Sequence, residues 1–235
     1  TKLKKTLFVI LFILLVIVVI FFVFVSFDYE AQDVEFAFKS SDTVTVSKEN
    51  SYWFFDGQGT TEAFVFYPGA LVDPMSYGPL LRALAEKGYD AFLVKMPFNM
   101  AFFGINSIEK IKEKYSYESW YIIGHSLGGT AGEYYISKNP DSVKGFVLLG
   151  AFLTKDLSAT DVKVLSIYGT EDMVLTRSLY EKGLSLMPSI WKEFVIEGGN
   201  HSGFGSYGHQ KGDGISTITK EEQWEITVKQ IVEFF

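Results

Sequence analysis

The chain has 235 residues and no cysteine, and its 28 acidic against 21 basic side chains give a net charge of −7. This acidic balance argues against nucleic acid as a partner, and the lack of cysteine excludes disulfides, thiolate metal sites and cysteine nucleophiles. The length suits one large domain or two small ones.

The first predicted element is an apolar run over residues 7–25, in which no side chain carries a polar atom. A helix of about 28 Å, long enough for the hydrocarbon core of a bilayer, would result from a run of this length. A buried core helix would normally show a polar stripe, and the apolar part of a signal peptide is usually about 7–15 residues long. The sequence therefore predicts an uncleaved transmembrane anchor.

The charges beside this run predict its orientation. Lys2, Lys4 and Lys5 precede it, and several acidic residues follow it. By the positive-inside rule, the lysines lie in the cytoplasm. We therefore expect residues 1–27 to be a single-pass anchor in the cell membrane and residues 28–235 to lie on the extracellular side.

A β-rich region follows the anchor. Alternating, β-branched or aromatic residues predict three short strands, which cover residues 34–38, 43–46 and 51–55.

The remaining sequence alternates between apolar strands and amphipathic helices. Predicted strands cover residues 62–70, 89–97, 119–124, 143–150, 162–169 and 191–199, and predicted helices cover residues 77–88, 107–115, 127–138, 176–187 and 220–235. Such alternation is typical of an α/β fold with a mostly parallel sheet and helices on both faces. No internal repeat or low-complexity linker interrupts it, so we expect residues 28–235 to form one domain.

The motif G-x-S-x-G occurs at Gly124, Ser126 and Gly128, between a predicted strand and a predicted helix. The motif alone is a weak signal, but a nucleophile elbow requires this strand-to-helix context. Glycines two residues before and after the serine would avoid collisions across the strained turn. We interpret Ser126 as a nucleophile; the alternative is an ordinary helix N-terminus with a serine cap.

A serine nucleophile needs a base, and the chain has three histidines. His201 directly follows the last predicted strand and is our candidate. His125 is adjacent to Ser126 in sequence, so its side chain should point elsewhere and have a structural role. His209 lies in a glycine-rich loop; we expect it at the surface, and it is the alternative base.

The base needs a carboxylate that fixes its tautomer. Glu171 and Asp172 both follow a predicted strand, and we favour Asp172. The order Ser126, Asp172, His201 is then the order found in α/β-hydrolases. Each residue follows the carboxyl end of a strand, where sites in open α/β sheets lie.

An oxyanion hole needs two backbone N–H groups directed at the developing charge. We expect one from Leu127, which follows the nucleophile. The other should come from the loop PGALVDP after the first apolar strand, with Ala70 as our choice and Leu71 as the alternative.

Taken together, the stretches FVFYPGALVDP, GHSLGG, YGTEDMV and GGNHSGFGSYGHQKGDG resemble the α/β-hydrolase superfamily, and more narrowly its compact bacterial group related to dienelactone hydrolase. The resemblance covers nearly all of residues 60–235. It implies that Ser126, Asp172 and His201 form a catalytic triad. Dienelactone hydrolase itself uses a cysteine nucleophile, which this chain lacks, so its lactone substrate is not implied.

These observations predict a membrane-anchored serine hydrolase that acts on small carboxylic esters without a metal or organic cofactor. Residues 151–161 are too few for a helical lid over the site, so we expect a preference for short acyl groups. Peptide hydrolysis or acyl transfer would use the same triad. A non-catalytic surface-binding domain on a hydrolase scaffold is the alternative from a different class.

Overall fold

The computed structural model describes residues 2–25, 28–59 and 61–235. Its first element is helix α1 (Lys2–Val25), which contains the apolar run predicted from the sequence. The stretch Lys4–Val23 has a mean hydropathy of 3.6, and none of it is buried against the rest of the chain. By length and composition this helix is a candidate membrane span.

The described residues form an eight-stranded sheet with the order β1-β2-β4-β3-β5-β6-β7-β8. The strands are β1 (Thr45–Lys48), β2 (Tyr52–Asp56), β3 (Glu62–Tyr67), β4 (Asp90–Val94), β5 (Ser119–His125), β6 (Gly145–Leu149), β7 (Lys163–Gly169) and β8 (Trp191–Ile196). Strands β1 and β2 pair antiparallel, whereas every pairing among β3 to β8 is parallel. The prediction of a mostly parallel sheet is therefore confirmed.

Helices cover both faces of the sheet, as the sequence predicts. They are α2 (Gly78–Ala85), α3 (Ser107–Lys112), α4 (Leu127–Lys138), α5 (Arg177–Gly183) and α6 (Lys220–Phe234). Apolar side chains of α2 and α6 pack in one core, and those of α3 and α4 pack in a second core on the other face. The strands between the two cores are buried on both sides, which explains their almost continuous apolar sequences.

The predicted strand at residues 34–38 is wrong, because Glu35–Phe38 is a 3₁₀ helix. Its alternating pattern arises from packing and not from a β ladder. Phe38 packs against the rings of Trp53 and Phe55, and Ala37 is buried beside it. One side of this turn therefore covers the sheet without joining it.

The strand register brings five strand ends to one edge of the sheet. The last residue of β3, Tyr67, is paired with Gly124 of β5, and His125 is paired with Leu149 at the end of β6. Gly169 at the end of β7 is likewise paired with Ile196 at the end of β8. The loops that follow these strands therefore meet at the carboxyl edge, where ligands bind in open α/β sheets.

Candidate active site

Ser126 lies in a sharp turn between β5 and α4 with φ 51° and ψ −119°, a strained conformation for a residue with a side chain. A Cβ atom on Gly128 would lie 1.9 Å from the carbonyl oxygen of Tyr67, and one on Gly124 would lie 2.6 Å from that of Gly128. Both glycines of the motif are therefore required by close backbone approach. Ser126 makes no side-chain capping hydrogen bond, which disfavours an ordinary helix cap.

His201 and Asp172 form a buried pair at the ends of β8 and β7. The Nδ1 atom of His201 lies 3.0 Å from Oδ2 and 3.1 Å from Oδ1 of Asp172. The carboxylate also accepts hydrogen bonds from the backbone N–H groups of Val174 and Leu175. These contacts fix the carboxylate, and the carboxylate in turn holds the proton of His201 on Nδ1.

The second ring nitrogen of His201 is available for chemistry. Its Nε2 atom is buried and makes no hydrogen bond within the described part of the chain. Ser126 and His201 line one cavity of about 220 Å³. The other residues that line it are Leu127, Thr130, Gly150, Ala151, Phe152, Val174 and Leu175. An acceptor nitrogen and a serine on a strained turn thus share a space that can receive a small ligand.

The sequence indicates three backbone N–H groups for an oxyanion hole, those of Leu127, Ala70 and Leu71. Leu127 is the first residue of α4, so its N–H group has no acceptor within the helix. Among the described residues, Ala70 donates its N–H group to no acceptor. The alternative, Leu71, donates its N–H group to the carbonyl of Asn99 at 2.8 Å. Of these three candidates, Ala70 and Leu127 are therefore the ones whose N–H groups have no acceptor in the described part of the chain.

His125 is fully buried and is not among the residues that line the cavity, which agrees with a structural role. Its Nε2 atom donates to the carbonyl of His201 at 3.1 Å. The Tyr77 hydroxyl donates to its Nδ1 atom and accepts the N–H of Gly69. Burial, and next the nearby His201, hold the pKa of His125 well below its usual value. His125 is therefore a neutral link between the loop after β3 and the loop that carries His201.

Sequence reasoning missed the importance of Gly150, the residue that follows β6. Its φ is +53°, and a Cβ atom there would lie 2.8 Å from Nδ1 of His201 and 2.9 Å from Oδ2 of Asp172. Only glycine leaves room for the pair. The sequence does show a glycine at the end of a predicted strand. It does not show that Gly150 lies against Asp172 and His201, which are more than 20 positions away.

Asp213 is a second residue that the sequence did not indicate. Its carboxylate accepts the backbone N–H groups of His201, Ser202 and Met173. Asp213 lies in the glycine-rich loop after β8 and is buried. One carboxylate therefore fixes both the loop of the candidate base and the loop of the candidate acid.

The two alternatives left open by the sequence lie apart from this arrangement. His209 is exposed and borders a different cavity. Glu171 is partly exposed, and its carboxylate is hydrogen-bonded by the Thr170 hydroxyl and not by His201. Within the part of the chain that the structure describes, no three acidic or histidine side chains converge to hold a metal ion.

Comparison with known proteins agrees with this architecture. The protein-family model described as "Alpha/beta hydrolase family" matches residues 63–225 of the sequence. No curated protein matches the sequence significantly. The chain shares its fold with a CIB-like hydrolase from Thermoplasma acidophilum, at 17% identity and a TM-score of 0.60 over 81% of this chain and 99% of that chain.

Two further solved structures are similar. An alpha/beta hydrolase from the metagenome of Mar Chica lagoon sediments has 15% identity and a TM-score of 0.61, over 81% of this chain and 97% of that chain. The carboxylesterase CesB from Bacillus subtilis has 10% identity and a TM-score of 0.55, over 84% of this chain and 93% of that chain. At these identities the likeness shows the fold alone, and the narrower relation to dienelactone hydrolase stays a prediction.

Proposed function

Because the chain belongs to the alpha/beta hydrolase family, we propose that it is a serine hydrolase whose triad is Ser126, His201 and Asp172. One observation carries the proposal: the unpaired Nε2 atom of the buried His201–Asp172 pair shares a cavity with Ser126, which lies on a strained strand-to-helix turn. A scaffold without catalytic activity would have no need for this combination.

The proposed reaction has two halves. In the first, the Ser126 hydroxyl attacks the acyl carbonyl while its proton passes to Nε2 of His201, and His201 then returns the proton to the departing alcohol. In the second, water attacks the acyl-enzyme in the same way and releases the acid. The N–H groups of Leu127 and Ala70 would stabilise the oxyanion in both halves, and Asp172 would stabilise the imidazolium.

Small carboxylic esters are the proposed substrates. The cavity of about 220 Å³ is smaller than the roughly 300–1,000 Å³ of sites for drug-sized ligands. Residues 151–161 form no helix, so no helical lid arises there. This segment is fixed because Glu133 of α4 accepts hydrogen bonds from the N–H groups of Thr154 and Lys155. The similar fold of a carboxylesterase supports this class by analogy only.

A fluorophosphonate probe tests the activity directly, because it labels only an activated serine. We expect labelling of the full-length protein and none of Ser126→Ala. Ser166→Ala is the control, since Ser166 is a buried serine that is hydrogen-bonded to Tyr180 and does not line the cavity. This variant should label like the wild type. Absence of labelling in the folded wild-type protein would favour the binding-domain alternative.

The proposal includes a membrane anchor. From Leu7 to Ile20 the apolar side chains of helix α1 are all exposed, and a bilayer or a partner helix would cover them. With Lys2, Lys4 and Lys5 in the cytoplasm, residues 28–235 would form an extracellular hydrolase domain. Protease added to intact cells should then remove this domain. Protection in intact cells together with digestion after lysis would reverse the orientation.

A further inference from the structure

A loop of exposed aromatic residues lies between β4 and α3. This aromatic loop comprises residues 97–104 and has no charged side chain. Phe98, Phe102 and Phe103 are 49%, 49% and 55% exposed. Clusters of exposed apolar side chains of this kind mark a contact with another apolar surface.

The aromatic loop lies against the end of the candidate span. The ring of Phe21 lies 5.6 Å from that of Phe98 and 6.1 Å from that of Phe103, both in edge-to-face geometry. The ring of Phe22 lies 6.1 Å from that of Phe98. The span ends at Val23, about 3 Å beyond Phe21 along the helix axis. The loop is therefore level with the boundary between acyl chains and headgroups.

The conformation of the aromatic loop is held in place. Phe98 and Asn99 have φ of 57° and 50°, two consecutive left-handed residues without glycine. The side-chain amide of Asn99 donates to the Asp28 carboxylate at 2.9 Å, and the backbone carbonyl of Asn99 accepts the N–H group of Leu71. These contacts connect the loop to the segment after the anchor and to the loop after β3. A strained conformation at an exposed aromatic residue is typical of a functional contact.

We propose that the aromatic loop is a second membrane contact, in which Phe98, Phe102 and Phe103 insert into the interface of a phospholipid bilayer beside α1. The inference rests on the membrane anchor proposed above and is independent of hydrolysis. A phospholipid surface is the fitting partner because the loop is uncharged, aromatic and continuous with the span. Tyr134 of α4 lines the same surface pocket as Phe102 and Phe103. The helix that begins after Ser126 therefore lies beside the membrane contact.

This arrangement determines how the domain sits on the membrane. The aromatic loop follows the carboxyl end of β4, so its insertion holds the carboxyl edge of the sheet at the bilayer surface. The cavity that contains Ser126 lies at the same edge. Esters concentrated in the bilayer interface would then reach the site along the membrane surface.

Spin labels on single cysteines test the contact, since the chain has no native cysteine to compete for the label. The full-length protein is reconstituted in phosphatidylcholine nanodiscs as Phe102→Cys and Phe103→Cys. Leu15→Cys reports the middle of the span. Ile190→Cys is the control, because Ile190 is a similarly exposed apolar residue directly before β8, at the opposite edge of the sheet.

The readout is the ratio of two collision rates of the nitroxide. One is with oxygen, which concentrates in lipid, and the other is with a water-soluble nickel chelate. We expect the ratio for the labels at 102 and 103 to be at least several-fold above that at 190 and below that at 15, because the proposal places these side chains at the interface and not at the bilayer centre. Labels at 102 and 103 that match the label at 190, with the label at 15 in lipid, would overturn the inference. An aqueous label at 15 would overturn the anchor and the inference together. Hydrolysis of a water-soluble ester in the same samples reports separately on the proposed activity.

Discussion

The hydroxyl group of Tyr77 donates a hydrogen bond to Nδ1 of His125 over 2.8 Å. Because the carbonyl of His201 can only accept, Nε2 of His125 must carry the ring proton. The same hydroxyl accepts the N–H group of Gly69, which precedes Ala70. A buried chain of hydrogen bonds therefore runs from the loop that offers the Ala70 N–H group to the residue proposed as the base.

We expect Tyr77→Phe to impair both stability and turnover. The change leaves the Gly69 N–H group and Nδ1 of His125 unpaired in the core, which should lower the free energy of unfolding by about 1–3 kcal/mol. Because the loop of Ala70 then loses its fixed position, kcat for an ester should fall about tenfold, with little change in KM. Steady-state kinetics and urea unfolding of the full-length protein in detergent measure both effects.

Tyr180→Phe is the matched control for this prediction. Tyr180 is also buried, and its hydroxyl contacts Ser166 and the Glu193 carboxylate away from the cavity. We expect the Tyr180→Phe variant to lose about as much stability as Tyr77→Phe but to keep the kcat of the wild type. Equal kcat values in the two variants would show that the Tyr77 hydroxyl contributes only to folding.

The choice between the two adjacent acids is testable by amide substitution. Asp172→Asn keeps the shape of the side chain but no longer enforces the tautomer of His201, so kcat should fall by about 10³–10⁴-fold. Glu171→Gln should change kcat by less than about threefold, because Glu171 is partly exposed and does not contact His201. A larger loss in Glu171→Gln than in Asp172→Asn would reverse the assignment.

Gly150→Ala tests the space that the His201–Asp172 pair requires. The added methyl group would lie less than 3 Å from both side chains, so we expect kcat to fall by at least about tenfold as the pair is displaced. Gly212→Ala is the control, because Gly212 has a φ of +87° and nothing within 4 Å of the added atom. Both variants bear backbone strain of about 1 kcal/mol, but only Gly150→Ala should lose activity in an ester hydrolysis assay.

The low pKa of His125 predicts part of the pH dependence of stability. Its pKa in the fold lies below the ordinary value of 6.5 because burial disfavours the charged ring. As the pH falls below the pKa that His125 has in the unfolded chain, the unfolded chain binds the proton before the folded protein does. The stability that neutral His125 provides is therefore complete above the unfolded-state pKa and is lost as the pH falls toward the folded-state pKa. The free energy of unfolding should therefore decrease as the pH falls from about 7.5 to about 5.5.

His125→Gln removes this titration while offering an acceptor to Tyr77 and a donor to the His201 carbonyl. The decrease in unfolding free energy between the two pH values should therefore be smaller in the variant than in the wild type. Urea unfolding of the full-length protein in detergent at both pH values measures it. An identical decrease in wild type and variant would assign the pH dependence to other groups.

The small cavity predicts a preference for short acyl groups. Each methylene that the site buries would contribute about 0.8 kcal/mol, but little apolar wall is available for a long chain. We expect kcat/KM for water-soluble p-nitrophenyl esters to be highest at about two to four acyl carbons. A value that rises steadily toward long chains would contradict the prediction and point to an additional apolar groove.

The fold and the strained turn at Ser126 could be read from the sequence because their signals are local. Alternation of apolar strands and helices determines the sheet, and the glycines around Ser126 determine the turn. The contacts of Tyr77 and Asp213 could not be read, because each joins loops that are separated by many residues. The alternating pattern at residues 34–38 led to a wrong strand prediction for a related reason. Alternation of apolar and polar residues indicates one buried face, but it does not show whether a neighbouring strand is available for pairing.

The carboxylate of Asp213 has a consequence for the dynamics of the site. Its oxygens hold the amides of His201 and Ser202 on one loop and that of Met173 on another. Neither loop can move outward without breaking bonds to the same group, so the two should open as a single cooperative unit, with one opening free energy and one exchange rate. The proposed acid and base would then be lost and regained together, and a half-assembled triad would have no appreciable lifetime.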